Sequence, residues 1–256
     1  MVGIAGKAVL EVGGALPPEL VLRTFGAGAW TAIEDPAYYD QHGQAMIGDR
    51  PALEPLSAGP AATGAYRYMH CAAEFLPDAF DGRFDLAFSI AAFEHFARLP
   101  LALDRLHAAL RPGGKLFALF SPVWPCRTGH HLPESTVLDG KAVRLDPALL
   151  KPWDHLLYAP PELFALLAPT VGRALAAEIV RLVHHAPHIN RLFVEDYVAY
   201  LTGSPFAVDD IRMVFPSPPP PEIQQALEAR HPGHREFGFG GMVAILSRAP
   251  GPSAAA

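Results

Sequence analysis

Short apolar runs, spaced by stretches with three-and-four periodicity, fill the first half of this chain and predict an α/β sheet. Residues 8–12, Ala8-Val9-Leu10-Glu11-Val12, read as a short buried strand. Pro17-Pro18 suits the first turn of a helix, where a missing N–H costs nothing. That helix is expected to run through Glu19-Leu20-Val21-Leu22-Arg23 and stop near Gly26 or Gly28. Trp30-Thr31-Ala32-Ile33 is a second strand, closed by Glu34-Asp35-Pro36. Residues 37–64 are weakly patterned and read as loop with one short helix. Tyr66 to His70 alternates as a third strand, and Phe84 to Ile90 forms a fourth. Leu99, Leu103, Leu106 and Leu110 then mark the apolar stripe of a helix. Arg111-Pro112-Gly113-Gly114 stops it, and Lys115 to Phe120 is the fifth strand.

Beyond Ser121 the rhythm breaks. Residues 121–158 are rich in Pro, Gly and His, with few periodic signals. Residues 160–168, 171–185 and 193–202 read as helices, and Met213-Val214-Phe215 as a strand. Pro218 to Pro221 is a rigid break, 222–230 a helix and Gly240 to Leu246 a last strand. The pattern predicts one doubly wound, Rossmann-like domain. Its sheet has seven mostly parallel strands, with a helical lid inserted after the fifth strand. Residues 1–121 would form the cofactor half, 122–205 the lid, 206–248 the final strands and 249–256 a frayed tail. In such sheets ligands lie at the carboxyl ends of the strands, so the residues just after each strand carry the chemistry.

Composition narrows the options. The 256 residues are half hydrophobic and 18% charged, enough for a sizeable core. Net charge is -6 with no basic stripe, so a nucleic-acid partner is not expected. Cys71 and Cys126, the only cysteines, imply no disulfide framework and fit a reducing cytoplasm. A signal peptide and a membrane span are not expected either, because the first apolar run ends at Glu11 and none approaches 18 residues.

The first strand ends in Glu11, then Gly13-Gly14, and the acids Glu34-Asp35 follow about 20 residues later. Glycines allow close backbone approach to a nucleotide, and a later acid can accept from ribose hydroxyls. Taken alone, the pair is also what a plain turn uses. Ala15 and Leu16 stand where a dinucleotide fingerprint has a further glycine, which counts against NAD or FAD. Phe84-Asp85-Leu86-Ala87-Phe88-Ser89-Ile90 runs on to Glu94-His95, and Leu110-Arg111-Pro112-Gly113-Gly114-Lys115 follows. With these stretches the chain resembles the class I S-adenosylmethionine-dependent methyltransferases of the small-molecule type. The likeness runs from Val9 to about Ser121, with sixth and seventh strands near 211–215 and 240–247.

The resemblance implies S-adenosylmethionine as cofactor and assigns roles. Glu11, Gly13 and Gly14 match the motif that holds the methionine part. Glu34 or Asp35 would take the ribose hydroxyls; strand spacing favours the first, while Asp35-Pro36 also fits. Ala72, Ala73 and Glu74 follow the third strand, where adenine is cradled. Ser89 and Ile90 would flank the cofactor from the fourth. Two departures stand out: the glycine motif is shortened, and the helices that the family places before the first strand are missing. The cover is then expected from the His-rich segment after the fifth strand, or from a second subunit in a homodimer.

Methyl transfer from a sulfonium is an in-line displacement, so the protein must align a nucleophile and take its proton. The chain has twelve histidines. His95, five residues past the fourth strand, and the pair His130-His131 beyond the fifth are the candidate bases. Loop histidines satisfied by backbone carbonyls are the competing reading for that pair. Tyr39, Phe93, Trp124 and His155 are candidates to line an acceptor pocket, and for His155 simple packing competes. His184, His185 and His188 have spacings that zinc sites use. Adjacent helical residues diverge by about 100°, so a solvated helix end is the better reading and no metal is assigned. The expected activity is methyl transfer to an oxygen or nitrogen of a small metabolite. Other sulfonium chemistry and a non-catalytic binding domain are the alternatives.

Overall fold

A computed structural model describes residues 3–36 and 52–251. The chain divides into two compact units. The first is drawn from Met1–Phe120, Val198–Arg212 and Met242–Ala256, the second from Ser121–Tyr197 and Met213–Gly241.

The first unit is built on a sheet of seven strands. These are β1 (Ala8–Val12), β2 (Ala29–Glu34), β3 (Tyr66–His70), β4 (Phe84–Ile90), β5 (Leu110–Phe120), β8 (Ala207–Pro216) and β9 (Phe239–Ser247). Their order is β3-β2-β1-β4-β5-β9-β8. β1 to β5 run parallel, and β9 returns antiparallel to β5 with Leu119 opposite Val243. The mostly parallel, seven-stranded α/β sheet expected from the sequence is therefore present. Every residue of β2 is buried, as a central parallel strand covered on both faces requires.

The link from β1 to β2 is shorter than an ordinary crossover helix and wider in its turn. Glu19–Thr24 forms a single π-helical segment, buried only at Val21. Between β4 and β5 runs helix α1 (Leu99–Ala109), whose Leu99, Ala102, Leu103, Leu106 and Ala109 are buried. The Arg248 guanidinium donates to the carbonyls of His107, Ala108 and Leu110 at 3.0, 2.9 and 2.5 Å, closing that helix's carboxyl end. Arg111 to Gly114 is not a loop between helix and strand. Leu110 already pairs with Phe84, and the register then jumps to Lys115 opposite Leu86, so the four residues form a bulge within β5. Gly113 there has φ +80. The Asp85 carboxylate accepts from the Ala8 amide at 2.8 Å and from Arg111 at 2.5 Å. One acid thus ties the start of β1 to β4 and to the bulge.

The second unit contains helices and one small hairpin. Helix α2 (Asp154–Leu157) precedes α3 (Pro160–Val171) and α4 (Arg173–His184), an antiparallel pair joined at Gly172, where φ is +82. α5 (Val194–Thr202) begins in this unit, with Val198–Thr202 counted in the first, and α6 (Pro221–Arg230) follows. Leu163, Leu167, Ala176, Ile179 and Val183 form a core with Leu227 and Phe237. That packing explains why Met213–Gly241 groups with this unit, whereas the sequence placed it among the final strands. A second difference is the hairpin β6 (Ser135–Leu138) and β7 (Lys141–Arg144), in a stretch expected to be loop. Its turn is Asp139-Gly140, with φ of 49° and 75°, the paired positive values of a tight hairpin turn. No helix among the described residues is long and apolar enough to cross a membrane.

Candidate functional site

The strand order reverses direction between β1 and β4, the place where open α/β sheets receive ligands. Gly13 sits there with φ +79, and a Cβ on it would lie 2.1 Å from the Cβ of Ala92, just past β4. Backbone conformation and close approach both demand glycine. Gly14 lies against Glu11, with a hypothetical Cβ 3.1 Å from Oε1. The buried Glu11 carboxylate accepts from the Leu16 amide at 3.0 Å and from the Trp30 indole N–H at 2.6 Å. It therefore pins the turn that carries both glycines. Burial outweighs these two bonds and pushes its carboxyl up to about 7. Trp30, which supplies the shorter bond, was not singled out by any sequence signal; only its place on β2 next to β1 would have pointed to it.

Glu34 is the last residue of β2 and is buried, while Asp35 lies one position beyond the strand. The Glu34 carboxylate accepts from the Asp35 amide at 2.9 Å, and its carbonyl accepts from the Cys71 amide at 2.8 Å. Ala72 precedes a single 3-10 turn, Ala73–Phe75. Within it the buried Glu74 turns its carboxylate to the Arg98 amide at 3.1 Å. Glu74 thereby supports the entry to α1. Burial pushes the neighbouring Cys71 thiol up to about 11, so it is no nucleophile near neutrality.

Ser89 is buried and its hydroxyl donates to the Val12 carbonyl at 2.9 Å, fixing β4 against the end of β1. Ile90 is 46% exposed at the end of β4, and Ala91 follows with φ +53. His95 closes the one-turn helix Phe93–His95, with its Nε2 4.0 Å from Glu94 Oε1 and its side chain 16% exposed. Phe93 is a correction: it is fully buried, stacked on Phe120 at 5.4 Å and against Phe96 at 5.0 Å, so it belongs to the core. Tyr39 lies outside the described residues.

The remaining candidates belong to the second unit. His155 is buried, and its Nε2 lies 2.8 Å from the Trp124 carbonyl. A carbonyl only accepts, so Nε2 carries the proton and Nδ1 is the bare nitrogen. Its ring packs edge-on against Trp124 at 4.7 Å and against His130 at 5.6 Å. The structure thus brings Trp124, His130 and His155 together, with His184 6.3 Å from the indole. Burial holds His130 down to about 4, His155 to about 3 and His184 to about 4. His130 Nδ1 accepts from the Leu132 amide at 3.0 Å, so its basic nitrogen is already occupied. It cannot serve as the base in this conformation. His131 Nε2 lies 2.6 Å from the Pro122 carbonyl, which makes Nδ1 its basic atom. Among the described residues no group of three or more His, Cys, Asp or Glu side chains is arranged to hold a metal ion. Arg191, missed in the sequence, donates to the carbonyls of Leu182, Val183, Ala186 and Ile189 and lies 5.5 Å over the Trp124 ring.

Residues 49–118 match the family model described as a methyltransferase domain. No curated protein matches the chain. Among solved structures, an S-adenosylmethionine dependent methyltransferase from Mesorhizobium loti superposes with a TM-score of 0.50 at 15% identity, covering 97% of this chain and 94% of that one. Geranyl diphosphate C-methyltransferase from Streptomyces coelicolor gives 0.46 at 12% identity, covering 96% and 73%. The 1,6-didemethyltoxoflavin-N1-methyltransferase from Burkholderia thailandensis gives 0.42 at 14%, covering 96% and 72%. The fold likeness rests on the first of these.

Proposed function

We propose that this chain, a class I S-adenosylmethionine-dependent methyltransferase, moves the methyl group to an oxygen or nitrogen of a small metabolite with His95 as general base. The observation that carries the proposal is the place of His95. It lies five residues past the carboxyl end of β4, and its ring lies 4.0 Å from the buried Glu94 carboxylate. A carboxylate beside an imidazole orients the ring.

The residues at the strand ends fit the cofactor. Gly13 and Gly14 are assigned to the methionine part of the cofactor; the space a Cβ would take is filled by Ala92 at Gly13 and by Glu11 at Gly14, so their lack of a side chain is what lets this turn pack at the strand ends. Glu34, buried at the last position of β2, is assigned to the ribose hydroxyls, and the Ser89–Ile90 strand end to the flank. When bound, S-adenosylmethionine supplies a methyl group activated on a sulfonium sulfur. His95 accepts the proton as the nucleophile's lone pair forms the new bond and the carbon–sulfur pair returns to sulfur. Trp124, His131 and His155 are proposed separately as acceptor-recognising side chains of the inserted segment.

The test is turnover of a labelled methyl donor on a panel of hydroxyl- and amine-bearing small acceptors. His95→Ala should lower kcat by about 100-fold or more while the affinity for S-adenosylhomocysteine, read by calorimetry, stays within twofold. It should also remove the acidic limb of the pH–rate profile. Unchanged turnover in His95→Ala removes the proposed base. Transfer only to carbon acceptors overturns the assignment of the methylated atom.

A further inference from the structure

The two edges of the seven-stranded sheet are finished differently. β3 has its outer side partly covered, because Leu53 bridges to Tyr68 and the Glu54 amide donates to the Tyr68 carbonyl at 2.8 Å. β8 stands at the other end of the order, and among the described residues β9 is its one neighbour in the sheet. It is ten residues long, Ala207–Pro216, and keeps Val208, Met213 and Phe215 40%, 40% and 56% exposed. Edge strands of that length with apolar side chains outward are normally shortened or blocked, since their free backbone groups pair with another strand.

We propose that β8 pairs antiparallel with β8 of a second copy of this chain, with the two-fold axis at Ile211. The charges select both the partner and the register. Asp210 and Arg212 lie two positions apart on the same face, held as an ion pair at 2.7 Å. Pairing about Ile211 sets each Asp210 opposite the Arg212 of the second copy, twice, with Val208 opposite Val214. Centring on Asp210 or on Arg212 would instead place like charges at the axis, which is unfavourable at cross-strand distance. Asp209, which accepts from Lys115 at 2.6 Å and from Ser247 at 2.5 Å, lies on the opposite face from Asp210 and Arg212 and takes no part in this pairing. A guard against pairing would be a row of one sign. Alternating signs at this spacing are self-complementary when the strand turns round on itself, and a two-fold interface requires that of its surface.

Sedimentation velocity of the full chain at micromolar concentration tests this. The wild type should sediment as two copies. Asp210→Arg and Arg212→Asp should each weaken association by about tenfold or more, because both symmetric pairs become repulsive. Mixing the two variants should restore the dimer as a heterodimer, since one copy then presents two arginines and the other two aspartates. Circular dichroism of each variant checks that the fold persists. Should either variant fail to fold, the doubly exchanged Asp210→Arg/Arg212→Asp chain should pair with itself like the wild type. A wild type that stays a single chain overturns the proposal. So does a dimer indifferent to both variants, or a mixture that stays monomeric.

Discussion

The carboxyl that burial moves furthest lies in one unit and the imidazoles it moves furthest lie in the other, although burial also lowers His107 in the sheet unit and raises Asp154 in the second; in both the interior rejects charge. In the sheet unit the misfit is an acid: Glu11, raised to about 7 by burial. In the second unit the misfits are bases: His130, His155 and His184, lowered to between about 3 and about 4. The signs set opposite responses to pH. Glu11 binds its proton more tightly in the folded chain. Stability from the neutral acid is present below the unfolded value of 4.5 and is lost as pH rises toward about 7. The histidines bind protons less tightly when folded. Their stability is present above the unfolded value of 6.5 and is lost as pH falls toward about 4 and then about 3. One chain therefore carries an acid-sensitive unit and one in which the buried Glu11 favours mildly acidic conditions.

The largest expected effect is acid loosening of the second unit. Trp124 and Trp153 are both buried there, so in a Trp30→Phe background their emission reports on that unit alone. The emission should shift red between pH 6.5 and 4, while far-ultraviolet circular dichroism keeps the signal of the sheet. Substituting His155 by Phe removes the most depressed base and should move the midpoint down by about half a unit or more. A midpoint indifferent to that substitution, or one shared by both units, breaks the comparison.

The next effect belongs to the sheet unit. Gly13→Ala adds a Cβ 2.1 Å from Ala92 at a φ of +79, and both the clash and the strain are local to the turn that Glu11 pins. The cost should be about 2–4 kcal/mol from strain and overpacking together. It should appear as a lower Tm and as lost affinity for S-adenosylhomocysteine in calorimetry. Retained affinity at a lowered Tm would remove the turn from the cofactor site.

The same two units show how far residues foretell structure. β1 and β2 were legible because each apolar run is closed by Gly or an acid, β3 from its alternation and β4 from its mostly apolar run after Gly82. The helical pair α3 and α4 was legible from its periodicity, with the break displaced to Gly172. What escaped reading depends on partners far along the chain. Trp30 donates to Glu11 across 19 positions. Glu74 accepts from the Arg98 amide 24 positions on, and His130 gives its basic nitrogen to Leu132. Residue type alone does not say which nitrogen of a histidine is occupied. Asp139-Gly140 did carry a hairpin signal, but the flanking strands are four residues each with little alternation, so the surrounding Pro and His stretch hid it.

A smaller effect sharpens the acid side. Glu11→Gln removes the group that titrates near 7 while keeping an acceptor for the Trp30 indole. The slope of stability against pH between 4.5 and 7 should flatten, read by urea unfolding at fixed pH values. One amide hydrogen must then face a former donor, so overall stability should drop by about 1–3 kcal/mol. An unchanged slope would mean that Glu11 is not the titrating acid.

The smallest effect compares two glycines that share a conformation but not a surrounding. Gly113 in the β5 bulge and Gly140 in the β6–β7 turn have φ of +80 and +75, and neither has an atom within 4 Å of a hypothetical Cβ. Alanine at either site should therefore cost only the left-handed strain, about 1–2 kcal/mol. Where that strain is felt should differ. The Gly113 amide donates to the Arg248 carbonyl at 3.0 Å, and Arg248 in turn closes α1, so Gly113→Ala acts on a junction of the sheet unit and should lower its global unfolding temperature. The hairpin joins its own unit through a few contacts, among them the Thr136 hydroxyl to Glu178 at 2.8 Å, and can open without exposing the helical core. Gly140→Ala should then speed amide exchange in residues 135–144 about tenfold and leave exchange in α3 and α4 unchanged. Equal acceleration in the helices would make the hairpin an integral part of the second unit's cooperative fold, and the acid response described above would then extend through it.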